Sequence, residues 1–320
     1  MNDKTDHKTP RILPVSPGDE EERLDVFVAG ATRITRSRVQ KLIESGHILV
    51  NGLQENRNYR LRAADIIELC EPEEQMSTLI PEDIPLTILF RDDYLAVVDK
   101  PAGMVVYPSM GHWEGTLLNA LAYHAGKLAS VGGPLRPGVV HRLDMDTSGV
   151  MVIALEDETY YNLVEQFRER TITRRYHTLL YGDMKEDMGE ITLSIGRSVA
   201  DRKKMSTRTN SGKAALTRWR ALKRFGIATL VEAKLGTGRT HQIRVHFSAL
   251  GHPVLGDMTY GKKSSLDFKK KRINFPRQML HAEHLGFIHP ITGSRMKFNS
   301  PLPGDMQKCL RELEEITSGD

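Results

Sequence analysis

The sequence is poor in cysteine and in long apolar runs. Its 320 residues include two cysteines, Cys70 and Cys309, which are far apart and form no CxxC pair. No apolar run approaches the ~20 residues of a membrane-spanning helix. The charged first residues also lack the apolar segment of a secretory signal. These absences predict a reduced, cytoplasmic setting and no membrane partner.

A strong overall charge is also absent, but the basic residues are unevenly distributed. Net charge is +4, which alone does not argue for a nucleic-acid partner. Residues 197–224 hold ten basic residues against one acid, and residues 262–277 hold seven against one. The alternative is two solvated loops, but two such blocks beside the candidate site favour phosphate contacts, with Arg202, Lys203 and Lys204 as candidates.

The first seventy residues divide into a tail and a compact module. Residues 1–20 are polar and contain three prolines, which predicts a flexible tail. A helical apolar spacing follows from Glu21, and a second helix is predicted over residues 35–45, with Thr35 as N-cap and Gly46 after its end. The segment HILV and the pair Asn51-Gly52 then predict a hairpin.

The stretch RLDVFVAGATRITRSRVQKLIESGHILVNG resembles the small S-four type RNA-binding domain of ribosomal proteins and RNA-modifying enzymes. The resemblance implies that the second helix places Arg36, Arg38 and Lys41 along RNA phosphates. The alternative is a helical cap with an ordinary charged face. The sequence departs from the usual pattern at Ala63-Ala64-Asp65, where Gly usually precedes Asp.

The remainder of the chain has the pattern of one α+β domain. Short apolar and alternating segments outnumber helical ones and are not regularly interleaved with them. This favours a mixed, mainly antiparallel sheet with flanking helices over a doubly wound fold. We expect a tail over 1–20, the S-four type domain over 21–72, a linker over 73–85, a large domain over 86–312 and a tail over 313–320.

The segment HRLDMDTSG (residues 141–149) carries the strongest chemical signal. It lies between a Gly/Pro-rich loop and a buried apolar strand. A carboxylate at the start of a core strand is held rigidly and can act as nucleophile, base or ligand, which makes Asp144 the candidate and Asp146 its competitor. The alternative is an Asx-turn that closes the loop.

The segment GTGRTHQIRVH (residues 236–246) is the second candidate. Glycines turn the chain after a strand, Thr240 can cap the helix that follows, and the free N–H groups there, with Arg239 and Arg244 nearby, suit an anion. His241 and His246 are five residues apart, so the i, i+4 spacing of a helical zinc site is missing. We predict no metal site.

HRLDMDTSG, RRYHTLLYG and GTGRTHQIRVH, in this order, resemble the motifs of RluA-type pseudouridine synthases over about residues 86–310. The segment between Gly182 and Gly236 and the ending HAEHLGFIHPITGSRMKFNSPLP resemble the branch that modifies large-subunit ribosomal RNA, the D-type enzymes. The resemblance implies the pseudouridine synthase fold and an isomerase without cofactor. Its implied substrate is several neighbouring uridines in one stem-loop of large-subunit rRNA.

The resemblance also implies roles for individual residues. Asp144 is the catalytic nucleophile or base, Tyr176 stacks on uracil, and Arg244 is the basic partner of the aspartate. Attack at the anomeric carbon, attack at the base and elimination to a glycal all stay open. The remaining substrate-binding candidates are Arg142, which fills the space the base vacates, Ile243 as an apolar wall, His141 and Arg239.

Other functions stay open at this stage. The chain could modify tRNA or another rRNA site, hold rRNA as a non-catalytic assembly factor, or release uracil as a glycosidase. We expect RNA in a pre-ribosomal particle as the partner and, because no dimer seam is visible, a monomer.

Overall fold

The computed structural model describes residues 10–32, 34–70, 78–109, 111–201, 204–209, 211–269 and 271–317. The chain divides into two compact units, Met1–Met76 and Ser77–Asp320. Each is described by itself.

The N-terminal unit packs two helices on a three-stranded antiparallel sheet of order β1-β3-β2. Val39, Leu42 and Ile43 form the buried face of the second helix, as the apolar spacing predicts. Asn51 and Gly52 form the predicted tight turn, which a single antiparallel bridge between Val50 and Leu53 closes, and the strand before the turn also pairs with β3. The elements are β1 (Arg11–Pro14), α1 (Leu24–Ala31), α2 (Arg36–Glu44), β2 (Ile48–Val50) and β3 (Ile66–Leu69).

The prediction of a flexible tail over 1–20 is wrong from Arg11 onward. β1 pairs antiparallel with β3, with Leu13 opposite Ile67, and Leu13 and Val15 are buried in the core of this unit. The partner strand is distant along the chain, so a local reading of composition cannot detect it. The first nine residues lie outside the described part.

The departure at Ala63-Ala64-Asp65 has a structural consequence. Ala64 adopts φ 68°, a left-handed conformation that disfavours a Cβ atom. Asp65, the next residue, is buried and accepts hydrogen bonds from the Arg62 N–H, the Asn51 amide and the Tyr59 hydroxyl. The turn is therefore held in place by its aspartate although its glycine is missing.

We expect Ala64→Gly to stabilise the N-terminal unit by about 0.5–1 kcal/mol. Removing the Cβ atom relieves the left-handed strain, and the gain exceeds the added entropy of the unfolded chain. Ala63→Gly is the matched control, because Ala63 has no positive φ and its replacement adds only that entropy. Urea unfolding of both variants measures the effect; equal destabilisation by the two substitutions would contradict the prediction.

The large unit is built on one mixed nine-stranded sheet, which confirms the predicted α+β class. Its order is β4-β5-β6-β15-β7-β12-β11-β8, and β16 pairs with β15. The parallel pairing is between β6 and β15; the other ladders are antiparallel. The strands are β4 (Thr87–Arg91), β5 (Leu95–Lys100), β6 (Ser148–Ala154), β7 (Thr173–Tyr181), β8 (Met188–Ile191), β11 (Thr217–Arg224), β12 (Ala228–Leu235), β15 (Leu280–Ile288) and β16 (Arg295–Asn299).

Four helices and two small ribbons complete this unit. The helices are α3 (Leu117–Ala125), α4 (Asp157–Glu169), α5 (Gln242–Ala249) and α6 (Gly304–Thr317). The ribbons are β9 (Gly196–Arg197) with β10 (Met205–Ser206), and β13 (Ser265–Phe268) with β14 (Lys271–Asn274).

The sheet order brings the three sequence motifs together. β6, which begins at Ser148 near the end of HRLDMDTSG, and β7, which carries RRYHTLLY, lie on either side of β15. β12 follows β7 in the sheet and leads into α5 through the GTGRTH loop. The motifs are far apart in sequence but meet at the centre of one sheet.

The expected domain limits differ from the structure at both ends of the large unit. Residues 78–85 are irregular, but the Ile80 carbonyl accepts from the Asn119 amide and the Glu82 carboxylate from the Gly115 N–H, so this part of the expected linker is packed. The tail expected from 313 is the last turn of α6, because Leu313 and Ile316 are buried in the core. Residues 73–77 and 318–320 lie outside the described part.

Within the described residues, no helix combines the length and apolar character required to span a membrane.

Candidate active site

Asp144 lies in the turn that leads into β6. The backbone carbonyl of Asp144 accepts from the Thr147 N–H, and the Asp144 side chain is 19% exposed. Its Oδ2 atom accepts a hydrogen bond of 2.8 Å from Arg244 Nη1. The carboxylate is therefore directed toward α5 and does not close its own loop as an Asx-turn.

Arg244 is clamped between two carboxylates. Its Nε and Nη2 atoms donate to the two oxygens of Asp257, at 2.7 and 2.9 Å, while Nη1 donates to Asp144. Burial alone would lower the pKa of Arg244, but the hydrogen bonds and charges of Asp257 and Asp144 raise it. The buried Asp257 also accepts from the backbone N–H groups of Thr259 and Tyr260. This arrangement keeps Arg244 charged and aims it at Asp144.

His241 faces the other oxygen of Asp144, with 3.8 Å between Nε2 and Oδ1. The Tyr260 hydroxyl accepts from the Met205 N–H and lies 2.7 Å from His241 Nδ1, to which it can donate its proton. Burial lowers the pKa of His241, which favours the neutral ring, and donation by Tyr260 to Nδ1 selects the tautomer that carries its proton on Nε2, on the side of Asp144. His241 also stands at the N-cap of α5, the position that the sequence assigned to Thr240.

Tyr176 lies on the buried face of β7 and lines the same cavity as Asp144 and Arg244. Burial raises the pKa of its hydroxyl, so the phenol remains protonated at neutral pH. The cavity has a volume of about 550 Å³, and its wall also includes Arg142, His141, Ile243 and Arg239. All seven residues predicted from the catalytic motifs therefore contribute to one cavity.

Three of these residues have additional partners. The exposed Arg142 donates from Nη1 to the Tyr107 hydroxyl at 2.7 Å, and its guanidinium carbon lies 5.3 Å from the centre of that ring. His141 Nε2 accepts from the Val152 N–H, and burial lowers the pKa of His141 to about 3, so this ring is neutral. Arg239 Nε donates to the Ala214 carbonyl.

Asp146, the alternative carboxylate, does not line this cavity among the described residues. Its carbonyl accepts from Nη1 of Arg277, a buried residue that also forms an ion pair with Asp305 of α6. Arg277 belongs to the second basic block, so the expected phosphate contact is wrong for this residue: it fastens the Asp144 turn to α6.

The first basic block is also more neutralised than its sequence suggests. Arg218 pairs with Glu190 of β8, Arg220 with Glu232 of β12, and Lys223 with Glu314 of α6. Lys204 lies 3.7 Å from Asp201, while Arg202 and Lys203 lie outside the described residues.

The RNA-binding candidates of the N-terminal unit lie on the exposed side of α2. Arg38 and Lys41 are exposed. Arg36 donates to the buried Asp25, which also accepts from Arg23 and Gln40. Burial opposes the ionisation of Asp25, but these hydrogen bonds outweigh it and lower the pKa to about 2. Arg36 thus has an internal partner, although its side chain is 51% exposed.

Lys100 is a fully buried residue that the sequence motifs do not mark. Its Nζ atom donates to the carbonyls of Pro101, Met104 and Met145, at 2.7–2.9 Å. Met145 follows Asp144, so Lys100 holds the backbone of the turn that carries Asp144. Burial lowers the pKa of Lys100 to about 7.

We expect this lowered pKa to make stability depend on pH. Between pH 7 and pH 10.5 the unfolded chain binds a proton that the folded chain has lost. The free energy of unfolding therefore increases as the pH rises. From pH 7 to pH 9.5, the unfolding free energy of the wild type should rise by about 3 kcal/mol relative to that of Lys100→Met. Urea unfolding at both pH values measures it; a constant difference would mean that the amine keeps its proton.

Asp257, Tyr260, Tyr107 and Lys100 were missed at the sequence level. Asp257 follows Gly256, and such a pair indicates an ordinary turn; its role depends on contact with a helix that precedes it in sequence. His246, weighed as a ligand, is buried and bonds Thr217 and the Leu193 carbonyl. No group of three or more potential metal ligands occurs among the residues that the structure describes.

Comparison with known proteins identifies two families along the chain. Residues 94–249 match the family described as RNA pseudouridylate synthase, and residues 22–67 match the S4 domain. An uncharacterized RNA pseudouridine synthase of Aquifex aeolicus is 45% identical, with 96% of this chain and 99% of that protein covered. The ribosomal large subunit pseudouridine synthase D of Zymomonas mobilis is 42% identical, with 91% and 93% covered. A solved structure of human RNA pseudouridylate synthase domain containing 1 superposes with a TM-score of 0.55 at 28% identity, over 75% of this chain and 97% of that chain.

Proposed function

Since the chain belongs to the RNA pseudouridylate synthase family and is an RNA pseudouridine synthase, we propose that it isomerises several uridines in one stem-loop of large-subunit ribosomal RNA, with Asp144 as its catalytic carboxylate. The observation that carries the catalytic assignment is the hydrogen-bonded pair of Asp144 and Arg244 in a cavity that also contains Tyr176. The substrate assignment is supported by relatives named ribosomal large subunit pseudouridine synthase D, which are 40–42% identical to this chain.

The reaction detaches uracil from ribose at N1 and rejoins it through C5. The C5 proton is lost and N1 regains a proton, so the product is an isomer of the substrate. A paired uridine must first leave its stem to reach a cavity of this depth. Asp144 then acts as a nucleophile at C1′ or at the base, or as the base that produces a glycal. Each route requires an ionised carboxylate, which Arg244 orients through its hydrogen bond to Oδ2.

The other residues of the cavity position the nucleotide. The Tyr176 ring stacks on uracil, and Ile243 forms an apolar wall. Because the Tyr176 hydroxyl is neutral, it can take the C5 proton only if it passes its own proton on. Arg142, which bonds Tyr107 in the free protein, moves into the gap left by the base, while His141 and Arg239 complete the wall.

The N-terminal unit adds affinity for RNA phosphates through the exposed side of α2, where Arg38 and Lys41 lie and Arg36 is partly exposed. Lys204, together with Arg202 and Lys203, extends the phosphate contact from the large unit. This affinity is electrostatic, and it therefore falls with salt.

Deleting residues 1–76 should weaken RNA binding and flatten its salt dependence. Each lost phosphate contact reduces the slope of log K against log salt by roughly 0.7–0.9. Titration of a stem-loop RNA from 50 to 300 mM KCl, with the full chain as the comparison, measures this slope. If the slope does not change, the N-terminal unit does not contact phosphate.

The substrate is tested by mapping pseudouridines in rRNA and tRNA from cells with and without the protein. Loss of several neighbouring pseudouridines from one large-subunit stem-loop supports the proposal. Loss from tRNA alone favours a tRNA enzyme, and unchanged RNA favours an assembly factor without catalysis. Free uracil in a reaction with purified protein would indicate a glycosidase.

We also propose that the enzyme acts as a monomer on a pre-ribosomal particle in the cytoplasm, without a cofactor. All atoms of the product come from the substrate, so the chemistry requires no carrier.

A further inference from the structure

Arg174 is a cation in the wall of the active-site cavity that none of the roles above uses. It lies on β7 two residues before Tyr176, and the alternation of the strand places both side chains on the same face. Arg174 is 8% exposed and lines the cavity together with Tyr176 and Asp144. Two residues along a strand span roughly 6.6 Å, so Arg174 stands one step beyond the ring proposed to stack on uracil.

Among the residues that the structure describes, no carboxylate forms an ion pair with the guanidinium of Arg174. Its Nε atom is buried and has no hydrogen-bond partner in the described part of the chain. Asp144 is the one carboxylate among the described residues that line the cavity, and it is paired with Arg244. The guanidinium carbon lies 5.2 Å from the centre of the Phe167 ring, a cation–π contact that supplies no negative charge.

The fold leaves room for this costly arrangement. A Cβ atom at Gly238 would lie 2.8 Å from Arg174 Nη1, so the absence of a side chain there lets the guanidinium reach its place. Burial lowers the pKa of Arg174, because the guanidinium is largely removed from water. Burying an unpaired cation costs more free energy than one aromatic contact returns. A negative charge brought by the substrate would remove that cost.

The arginines of the cavity fall into groups by exposure. Arg142, Arg168 and Arg170 are exposed, whereas Arg174 is buried. The phosphodiesters of an extruded nucleotide remain continuous with the RNA chain, so they stay at the mouth, beside the exposed arginines. The base enters deepest, and it is the base that Arg174 can contact.

We propose that Arg174 binds the carbonyl oxygens of the extruded uracil and stabilises the negative charge that the base acquires when its bond to ribose breaks. When C1′–N1 breaks, its electron pair moves to N1 and spreads to O2 and O4. The sugar is meanwhile held as an adduct of Asp144 or as a glycal. Formation of C1′–C5, loss of the C5 proton and protonation of N1 return the base to neutrality. The planar, permanently charged guanidinium suits such a delocalised anion.

This inference rests on the proposed stacking of uracil on Tyr176. It is tested by comparing substrates whose leaving bases differ in acidity. We would measure single-turnover rates at saturating enzyme on a stem-loop RNA that carries uridine or 5-fluorouridine at the modified position. Fluorine withdraws electrons and makes the departing anion more stable by itself. The variants are Arg174→Met and Arg174→Lys. Arg175→Met is the matched control, because Arg175 is the next residue of β7, faces the other side of the sheet and lies near Glu283.

The expected result is a loss of about 100-fold in the rate of uridine consumption by Arg174→Met, the usual effect of removing one donor to a developing anion. The loss should be at least about tenfold smaller with 5-fluorouridine. Arg174→Lys should recover part of the rate, and Arg175→Met should stay within a few-fold of the wild type. Thermal unfolding of each variant separates these effects from a loss of fold.

Equal losses with the two bases would overturn the proposal in favour of a structural role. Weaker RNA affinity of Arg174→Met, with an unchanged single-turnover rate at saturating enzyme, would also overturn the proposal and would indicate that Arg174 contacts phosphate. A wild type that forms no pseudouridine on any rRNA stem-loop would instead contradict the proposed function, so the two failures are distinguishable.

Discussion

Replacing Asp144 by asparagine should abolish pseudouridine formation while leaving the fold and RNA affinity intact. Asparagine has the same shape, and its amide oxygen can still accept the hydrogen bond from Arg244. It lacks the charge that every proposed route requires, so we expect the rate to fall by about 10⁴-fold or more, as when other catalytic nucleophiles are removed.

Asp146→Asn is the matched control for this experiment. Asp146 belongs to the same turn, but it lies outside the described lining of the cavity, and it is the backbone of Asp146 that bonds Arg277. This variant should retain turnover within a few-fold of the wild type. Tritium release from C5-labelled uridine in a stem-loop RNA measures both variants, and Asp144→Asn turnover close to wild type would refute the catalytic assignment.

Arg244→Met should cost both activity and stability. Without Arg244 the Asp257 carboxylate is buried without a cation, and breaking a buried pair typically costs about 3–5 kcal/mol. Asp144 would also lose the hydrogen-bond donor that directs its carboxylate, so we expect turnover to fall by about 10³-fold. Urea unfolding and the tritium-release assay measure the two losses.

The double variant Arg244→Met with Asp257→Asn separates these losses. An asparagine at position 257 carries no charge, yet it can still accept from the N–H groups of Thr259 and Tyr260. Stability should therefore recover in large part while activity does not. If the single variant is as stable as the wild type, the carboxylate of Asp257 does not depend on Arg244.

The residues of the proposed catalytic centre were largely predictable because their motifs are local. Asp144, Tyr176 and Arg244 each stand in a short segment of distinctive residues, and the sheet order β6-β15-β7-β12 brings those segments together. Apolar alternation in β7 and β12 and the helical spacing in α2 identify their buried faces, because these patterns arise from neighbours within one element.

Features that depend on contacts between distant segments were not predictable. Asp257 obtains its role from a guanidinium on α5, and β1 obtains its pairing from β3. The basic block over residues 197–224 was overestimated for the same reason: its sequence contains one acid, but the strands beside β11 supply Glu190 and Glu232. A count of charges along the chain cannot include partners across a sheet.

The Arg277–Asp305 ion pair has a consequence for the order of assembly. Arg277 bonds the carbonyl of Asp146 and the hydroxyl of Ser148, and its carboxylate partner stands in the first turn of α6. Domains generally fold as units, from the N-terminus first during synthesis. The turn that carries Asp144 is translated well before α6, so its contact with Arg277 lacks the carboxylate of Asp305 until residues 304–317 are made. Lys100 already bonds this turn through the Met145 carbonyl, so a chain interrupted before α6 would hold the proposed catalytic carboxylate with one of its two supports weakened.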